Sequence, residues 1–401
     1  MTGAPPTAGP LAGVKVLELG QLIAGPFAAR IFADYGADVV KIEPPGSGDP
    51  LRRWRRLHEG SSLWWRVQAR NKRSVTADLR TPEGQEIVRR LAREADILVE
   101  NFRPGALEGW GLGWAELSAL NPRLVMVRLS GYGQTGPYRE RPGFGVIGEA
   151  MGGLRYTTGS PDRPPARTGI SIGDSLAALH AVIGALLGIV HVVRNGGPGQ
   201  VIDVALHESV FNMMEGLVPE YGVFGDVRER SGGALPGIVP TDAYPCRDGY
   251  VLIAGNGDSI FRRLMEAIDR PDLGEDPDLA RNEGRVAAVV LIDSAIAAWT
   301  AGRTIAEALD VLTAADVPCG RIYTAADILA DPHYRARDMI LDATLPDGTP
   351  IPIPGVVPKL SETPGSLRWL GPELGQHTDE VLAGLGYSAA DVAELRRRGV
   401  V

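Results

Sequence analysis

The chain is poor in cysteine, has no surplus of positive charge and almost no long apolar run, and each shortage narrows what it can be. Cys246 and Cys319 are its only cysteines in 401 residues. Far apart in sequence, they form neither a disulfide framework, nor a CxxC redox pair, nor a metal knuckle, and a reducing cytoplasmic setting is expected. With 49 acidic residues against 41 basic ones, the net charge is −8. A general nucleic-acid coat needs a basic surface, so no nucleic-acid partner is expected and any anion must be held by a local patch. HExxH, GxxxxGK[ST] and paired metal-ligand spacings are missing, so no metal site is expected. The opening MTGAPPTAGP lacks a charged stretch followed by an apolar one and does not read as a secretory signal.

One apolar run stands out. LAALHAVIGALLGIVHVV, from Leu176 to Val193, carries no formal charge and touches the length of a membrane span. It holds His180 and His191 and lacks aromatic anchors, so a central helix wrapped by protein is expected, with no membrane partner. The two histidines would lie about 16 Å apart along that helix, too far to share a metal. Gly184 and Gly188 form a GxxxG step suited to close approach by another helix or subunit.

What remains is the composition of a globular chain, 44% hydrophobic, long enough for two or three domains. Its first part alternates strand and helix. Val14 to Leu19, Ala37 to Glu43, Ile97 to Asn101 and Leu124 to Ser130 read as strands; Pro26 to Tyr35, Thr81 to Ala95 and Trp114 to Leu120 read as helices. This is the grammar of a doubly wound parallel sheet. Val201 to Leu206 adds a strand and His207 to Val218 a helix, after which Gly222 to Gly237 reads as a linker. A hairpin around Arg247-Asp248-Gly249 then opens a smaller α+β domain, with a helix over Ser259 to Ile268. Two short helices near Thr378 and Ser388 follow a tail rich in proline and glycine, the second opened by a Ser388/Asp391 capping pair.

Two glycine motifs fail on context. GYGQTG at 131–136 follows a strand, but Pro137 and Pro142 forbid the phosphate-binding helix a dinucleotide site requires. GISIG at 169–173 would make Ser171 a nucleophile, yet the proline-rich SPDRPPART precedes it where a strand is needed. Asp174 is the carboxylate that matters. It opens the long apolar helix, either as an N-cap or as an attacking oxygen that the helix terminus keeps ionised. Between Leu51 and Arg73, eight basic residues (Arg52, Arg53, Arg55, Arg56, Arg66, Arg70, Lys72 and Arg73) face Glu59 alone and interleave with Trp54, Trp64 and Trp65. Arginine beside aromatic rings holds phosphates and stacks planar bases, which points to a nucleotide-like ligand. The turns after the strands are where such sheets bind ligands.

The spaced motifs PLAGVKVLELGQLIAGPFAARIFADYGADVVKIEPPGSGD, RNKRSVTADLRTPEG, ADILVENFRPGALEGWGL, NPRLVMVRLSGYGQTGPY, AMGGLRYTTG, IGDSLAALHAVIGAL and LGQHTDEVLAGLG resemble the class III, or CaiB/BaiF, CoA-transferases. The look is nearest to those using succinyl-CoA and dicarboxylic acids. The resemblance implies a Rossmann-like large domain over 1–205, completed by 340–401. It further implies a linker with a glycine loop over 206–234, a small α+β domain over 235–330, a return at 331–401 and an interlocked homodimer. It implies transfer of CoA from an acyl-CoA to a free carboxylic acid, with CoA as substrate and no permanently bound cofactor. Asp174 falls on the family's catalytic aspartate, and Gly232 and Gly233, after Ser231, on its oxyanion loop. Ala24, Arg80, Asn101, Phe102, Arg103, Arg141 and Gly143 fall on CoA contacts, with Lys72 and Arg73 as phosphate partners. Pro44 and Pro45 replace an arginine some relatives carry after the KIE strand. A racemase branch pairs the aspartate with a histidine, which would fall at Phe144, and phenylalanine carries no proton. The formyl-CoA branch needs a glutamine where this chain has Ile23 and a longer glycine loop, and neither is found here. A catalytically idle CoA-binding protein, with Asp174 only capping its helix, is the reading from another class.

Overall fold

The protein, seen here as a computed structural model that describes residues 9–401, divides into two compact units. The larger comprises residues up to Leu154, Thr168–Val218 and His333–Val401; the smaller comprises Arg155–Arg167 and Pro219–Pro332. Most of the opening segment read for a secretory signal lies outside the described residues.

The larger unit is built on six strands: β1 Lys15–Glu18, β2 Asp38–Glu43, β3 Lys72–Thr76, β4 Ile97–Glu100, β5 Val125–Ser130 and β6 Val201–Ala205. All neighbours run parallel, in the order β3-β2-β1-β4-β5-β6. The order reverses between β1 and β4, the switch point at which such sheets open a crevice at their carboxyl ends. Adjacent side chains alternate between two cores. Val16, Ile97, Val125 and Val127 meet α1 (Ala24–Asp34) on one face, whereas Leu17, Leu98 and Met126 meet α2 (Pro82–Glu94) on the other. Burial on both faces explains why these strands read as continuous apolar runs. Thr81 caps α2 through its hydroxyl, which accepts the Gly84 N–H at 3.1 Å, with Pro82 in the first turn.

β3 has no signature in the sequence. Its residues, KRSVT, look like the end of the basic stretch, and they become a strand because each polar side chain finds a buried or edge partner: Lys72 with Glu18, Arg73 with Asp38, Ser74 with Glu43. The helix expected over His207–Val218 is instead two, α5 (Leu206–Phe211) and a second over Leu217–Phe224, parted by a turn in which Glu215 adopts a φ of +51°.

The apolar run is a single helix, α4 (Ile172–Arg194), whose Ala177, Ala178, Ala181 and Ala185 pack on the sheet. Gly184 and Gly188 do not receive a second helix as the GxxxG step suggested. They face strands: a β-carbon on Gly184 would lie 2.4 Å from Ile202 Cγ2, and one on Gly188 would lie 2.8 Å from Val125 Cγ1.

The smaller unit holds an antiparallel hairpin, β7 (Thr241–Cys246) and β8 (Gly249–Ala254), with β9 (Cys319–Arg321) beside β8. Phe261 and Leu264 from the helix over Asp258–Ala267 and Ile292 and Ile296 from the one over Val289–Ala301 close its core over Val251 and Ile253. Arg155–Arg167 belongs to this unit, although the sequence reading ran the large domain unbroken to 205. The segment is tied to the smaller unit by the Gly232 N–H on the Gly159 carbonyl and by Arg230 on the Tyr156 carbonyl, both 3.0 Å. The return segment adds the hairpin β10 (Ile340–Thr344) and β11 (Pro350–Pro354), then α6 (Thr378–Gly384) and α7 (Ala389–Arg397), the last opened by the reciprocal Ser388/Asp391 capping box.

Replacing Gly188 by alanine sets a methyl group against Val125. Overpacking costs about 1–3 kcal/mol, partly offset by about 1 kcal/mol of helix propensity. A net loss of up to about 2 kcal/mol is expected in urea unfolding, and a midpoint equal to or above wild type would contradict this packing.

Candidate active site

The turns after β1, β2, β3, β4 and β5 gather at the carboxyl edge of the sheet. A cleft of ≈ 280 Å³ opens there, lined by residues including Gln21, Pro44, Ser47, Arg80, Phe102 and Trp110. Two side chains organise its floor. Asn101, the first residue beyond β4, accepts the Gln21 N–H at 2.7 Å and donates to the Gln21 carbonyl at 2.8 Å, which stitches the β4 turn to the β1 turn. Glu100 accepts the Phe102 N–H at 2.8 Å and pairs with Arg128 at 2.7 Å. Burial pushes the Glu100 carboxyl up to about 7, against the pull of Arg128.

The residues expected to contact CoA are distributed along this edge. Phe102 lines the cleft and stacks edge-on against Trp110, ring centroids 5.2 Å apart. Arg103 is exposed. Arg80 is also exposed, held by Asp78 through two 2.9 Å bonds. Ala24 is buried at the start of α1. Arg141 stacks over the Tyr138 ring at 3.6 Å, and Gly143 packs so closely that a β-carbon on it would lie 2.8 Å from Gly131 Cα.

Lys72 and Arg73 are elsewhere, and the reading of them as phosphate partners is corrected here. The Lys72 ammonium is fully buried, 2.7 Å from Glu18 and 2.7 Å from the Pro26 carbonyl, and burial lowers its pKa to about 8. Arg73 sits near the amino end of β3, away from the cleft edge, bonded to Asp38 and Glu380. Much of the basic stretch is likewise turned inward. Arg52 pairs with Glu43 and stacks over the buried Trp65, Arg66 pairs with Glu373, and Arg70 grips Asp34 with two nitrogens. Arg53, Arg55 and Arg56 stay exposed, with Arg55 over the Trp64 ring at 5.0 Å.

Asp174 is the third residue of α4. The N-cap position belongs to Ser171, whose side chain makes no capping bond, so the expectation that Asp174 serves as the N-cap is not met. At the amino end of a 23-residue helix the aligned peptide dipoles favour a carboxylate anion. The side chain is half-buried and faces α3 (Gly145–Met151): a β-carbon on Gly145 would lie 2.1 Å from Asp174 Oδ2. On the neighbouring residue, a β-carbon at Gly173 would lie 2.9 Å from the Gly145 carbonyl oxygen and 3.2 Å from Cγ of Glu149, itself 1% exposed. The two helices therefore meet through paired glycines, and a side chain at position 145 would collide with the carboxylate. Phe144, next to Gly145 in the chain and 67% exposed, brings no titratable group to the place where a racemase needs its histidine.

The glycine loop belongs to the smaller unit. Gly232 takes a φ of +69°, a conformation glycine adopts without strain, and its N–H donates to Gly159 O. That bond occupies the Gly232 N–H, a donor expected to face an oxyanion. A β-carbon on Gly233 would lie 2.5 Å from Asp242 Oδ1.

Nothing in sequence spacing points to Gly145 or Glu100, because both act through contacts between segments distant in the chain. Lys41 had a visible sign, a lysine inside the apolar run VVKIE, and it is buried between Glu18 and Asp49.

Comparison with known proteins gives concordant results. The profile of CoA-transferase family III matches residues 11–378. A succinyl-CoA–D-citramalate CoA-transferase from Chloroflexus aurantiacus is 51% identical over 395 residues, 98% of each chain. The beta subunit of a succinyl-CoA–L-malate CoA-transferase from the same organism is 42% identical, again over 98% of each chain. Among solved structures, a CaiB/BaiF family protein from Brucella suis superposes with a TM-score of 0.83 at 35% identity, covering 94% of this chain and 100% of that one.

Gly145→Ala is expected to leave the fold and its thermal midpoint nearly unchanged while displacing the Asp174 carboxylate, with activity falling at least about a hundredfold, as misplacement near 1 Å does. An alanine variant of wild-type turnover would show that this glycine does not shape the site.

Proposed function

The chain belongs to CoA-transferase family III and is a CoA-transferase, and we propose that it carries CoA from succinyl-CoA to a dicarboxylic acid through a covalent thioester on Asp174. The donor and the acceptor class follow from the named activities of the relatives, which pair succinyl-CoA with citramalate or malate. The observation that carries the mechanism is the Asp174 carboxylate itself, on the first turn of α4 and faced by a glycine.

In this reading Asp174 attacks the thioester carbonyl and CoA leaves as the thiolate, giving a mixed anhydride between Asp174 and the acyl group. The thiolate then attacks the Asp174 carbonyl of that anhydride, releasing the donor acid as a carboxylate and leaving an aspartyl-CoA thioester. The acceptor carboxylate attacks this thioester, expelling the thiolate and forming a second anhydride. The thiolate finally takes the acceptor's acyl carbon and frees Asp174. Each exchange of one acyl partner is thereby divided into easier steps. The tetrahedral intermediates carry negative charge, which preorganised backbone N–H donors stabilise, the part the family resemblance gives to Gly232 and Gly233. CoA is assigned to the carboxyl edge of the sheet, with Phe102, Arg103, Arg80 and the 141–143 stretch as its contacts.

The reading also includes a homodimer. Leu179, Ile183, Leu187 and Val190 leave one face of α4 apolar and exposed, opposite the alanines on the sheet. α4 is, among the described residues, the one single helix long and apolar enough to cross a membrane, but its alanine and glycine face is spent on the sheet, and a second copy is the occupant we assign to the rest. Sedimentation should give a dimer mass, with Leu187→Glu shifting it toward monomer; a wild-type monomer would remove this part of the reading.

Intact protein incubated with succinyl-CoA should gain a CoA adduct mapping to Asp174. Asp174→Ala should lose both the adduct and more than about 99.9% of transfer, the scale of removing a nucleophile. Full turnover by Asp174→Ala would overturn the mechanism.

A further inference from the structure

The β1 turn has the place of a phosphate-binding turn at the switch point of the sheet, yet it lacks the glycine string that opens such a turn to a ligand. Its backbone groups are occupied by side chains of the same molecule. The Leu22 N–H donates to both oxygens of Asp49, at 3.1 and 3.2 Å. The Gln21 N–H goes to Asn101, and the Gly20 carbonyl accepts the Lys41 ammonium at 2.6 Å. Lys41 in turn lies 2.9 Å from Asp49 and 2.8 Å from Glu18, whose other oxygen meets Lys72. Asp49, Glu18 and Lys72 are fully buried and Lys41 is 1% exposed. Two cations and two anions thus form a neutral set sealed beneath the turn.

The turn needs such a clamp. Leu22 holds a φ of +65° without being glycine, a conformation that L-residues rarely adopt. Ile23, at the N-cap of α1, supplies no side-chain cap, and Ala24 follows at the start of the helix. Asp49 also accepts the Leu51 N–H at 2.9 Å, so one carboxylate fixes both this turn and the short helix Pro50–Arg53.

We infer that Asp49, braced by Lys41, is a positioning residue for acyl-CoA: its carboxylate sits as an internal anion in the β1 turn, where related sheets seat a ligand phosphate, and holds Leu22 left-handed so that the turn meets CoA in one shape. The inference rests on the assignment of CoA to the carboxyl edge of the sheet. It excludes the N–H groups of Gln21 and Leu22 as donors to the CoA phosphates, because both are already engaged.

The test measures CoA affinity by calorimetry and steady-state transfer from succinyl-CoA in wild type, Asp49→Asn, Leu22→Val, and Asp49→Asn combined with Leu22→Gly. Asp49→Asn is expected to raise the CoA dissociation constant and the KM for succinyl-CoA at least tenfold while kcat stays within threefold. Leu22→Val keeps the clamp but penalises the left-handed backbone with a β-branched side chain, and should raise both constants at least fivefold. Glycine at position 22 adopts that backbone unaided, so the double variant should return to within threefold of wild type. A purely architectural role predicts instead a lower thermal midpoint with unchanged constants for the folded fraction and no rescue by glycine. That result overturns the inference, as does wild-type affinity in Leu22→Val even where Asp49→Asn fails to fold. If wild-type protein binds no CoA, the assignment of the cleft falls and the inference with it; if it binds and Asp49→Asn binds equally, only the inference falls.

Discussion

A carboxylate at the amino end of a long apolar helix, faced by a glycine on the neighbouring helix, is the constraint around which the larger unit is arranged. α4 serves two demands at once. Its alanine face must lie flat on β5 and β6 to close one core, and its first turn must present Asp174. Small residues satisfy both: Gly184 and Gly188 bring the helix axis down onto the strands, while Gly145 and Gly173 bring α3 up to the carboxylate. The dipole of the helix then favours charge on that oxygen.

The sheet was the most legible part of the chain. β1, β2, β4 and β5 are apolar runs because helices cover both faces, and the helices between them announce themselves by Thr81-Pro82 at a start or Gly36 at a stop. β3 was illegible for the opposite reason. Its residues include lysine, arginine and serine, and the acids of β1 and β2 make a strand of it. The same physics misdirects the reading of the basic stretch: local charge counts see eight cations, but the fold returns five of them to carboxylates at Glu43, Glu373, Asp34, Glu18 and Asp38. A charge run describes a surface only where its partners are not elsewhere in the chain.

Asn101, Phe102 and Arg103 could be marked in advance because motif and strand-end logic coincide there, and Asp174 because a motif coincides with the start of the apolar helix. Gly145, Glu100 and Asp49 could not, since their work is to hold other groups in place. Glu100 and Asp49 share one device. Each is a buried carboxylate that takes up a turn's N–H, Phe102 in one case and Leu22 in the other. The crevice is thus lined by turns whose shapes are set from beneath.

The three-part composition of the larger unit also bears on biosynthesis. All six strands exist once residue 205 has been made, but the core beneath β1, β2 and β3 is completed by Val381, Leu382, Val392 and Leu395, and Trp65 and Arg70 bond to carbonyls at Pro372 and Pro354. At ribosomal speeds of about 5–20 residues per second, the nascent sheet waits on the order of ten to forty seconds with one greasy side uncovered. Such a polypeptide is a natural client for a holding chaperone during translation, and its yield on overexpression should be governed by that interval more than by the finished protein's stability.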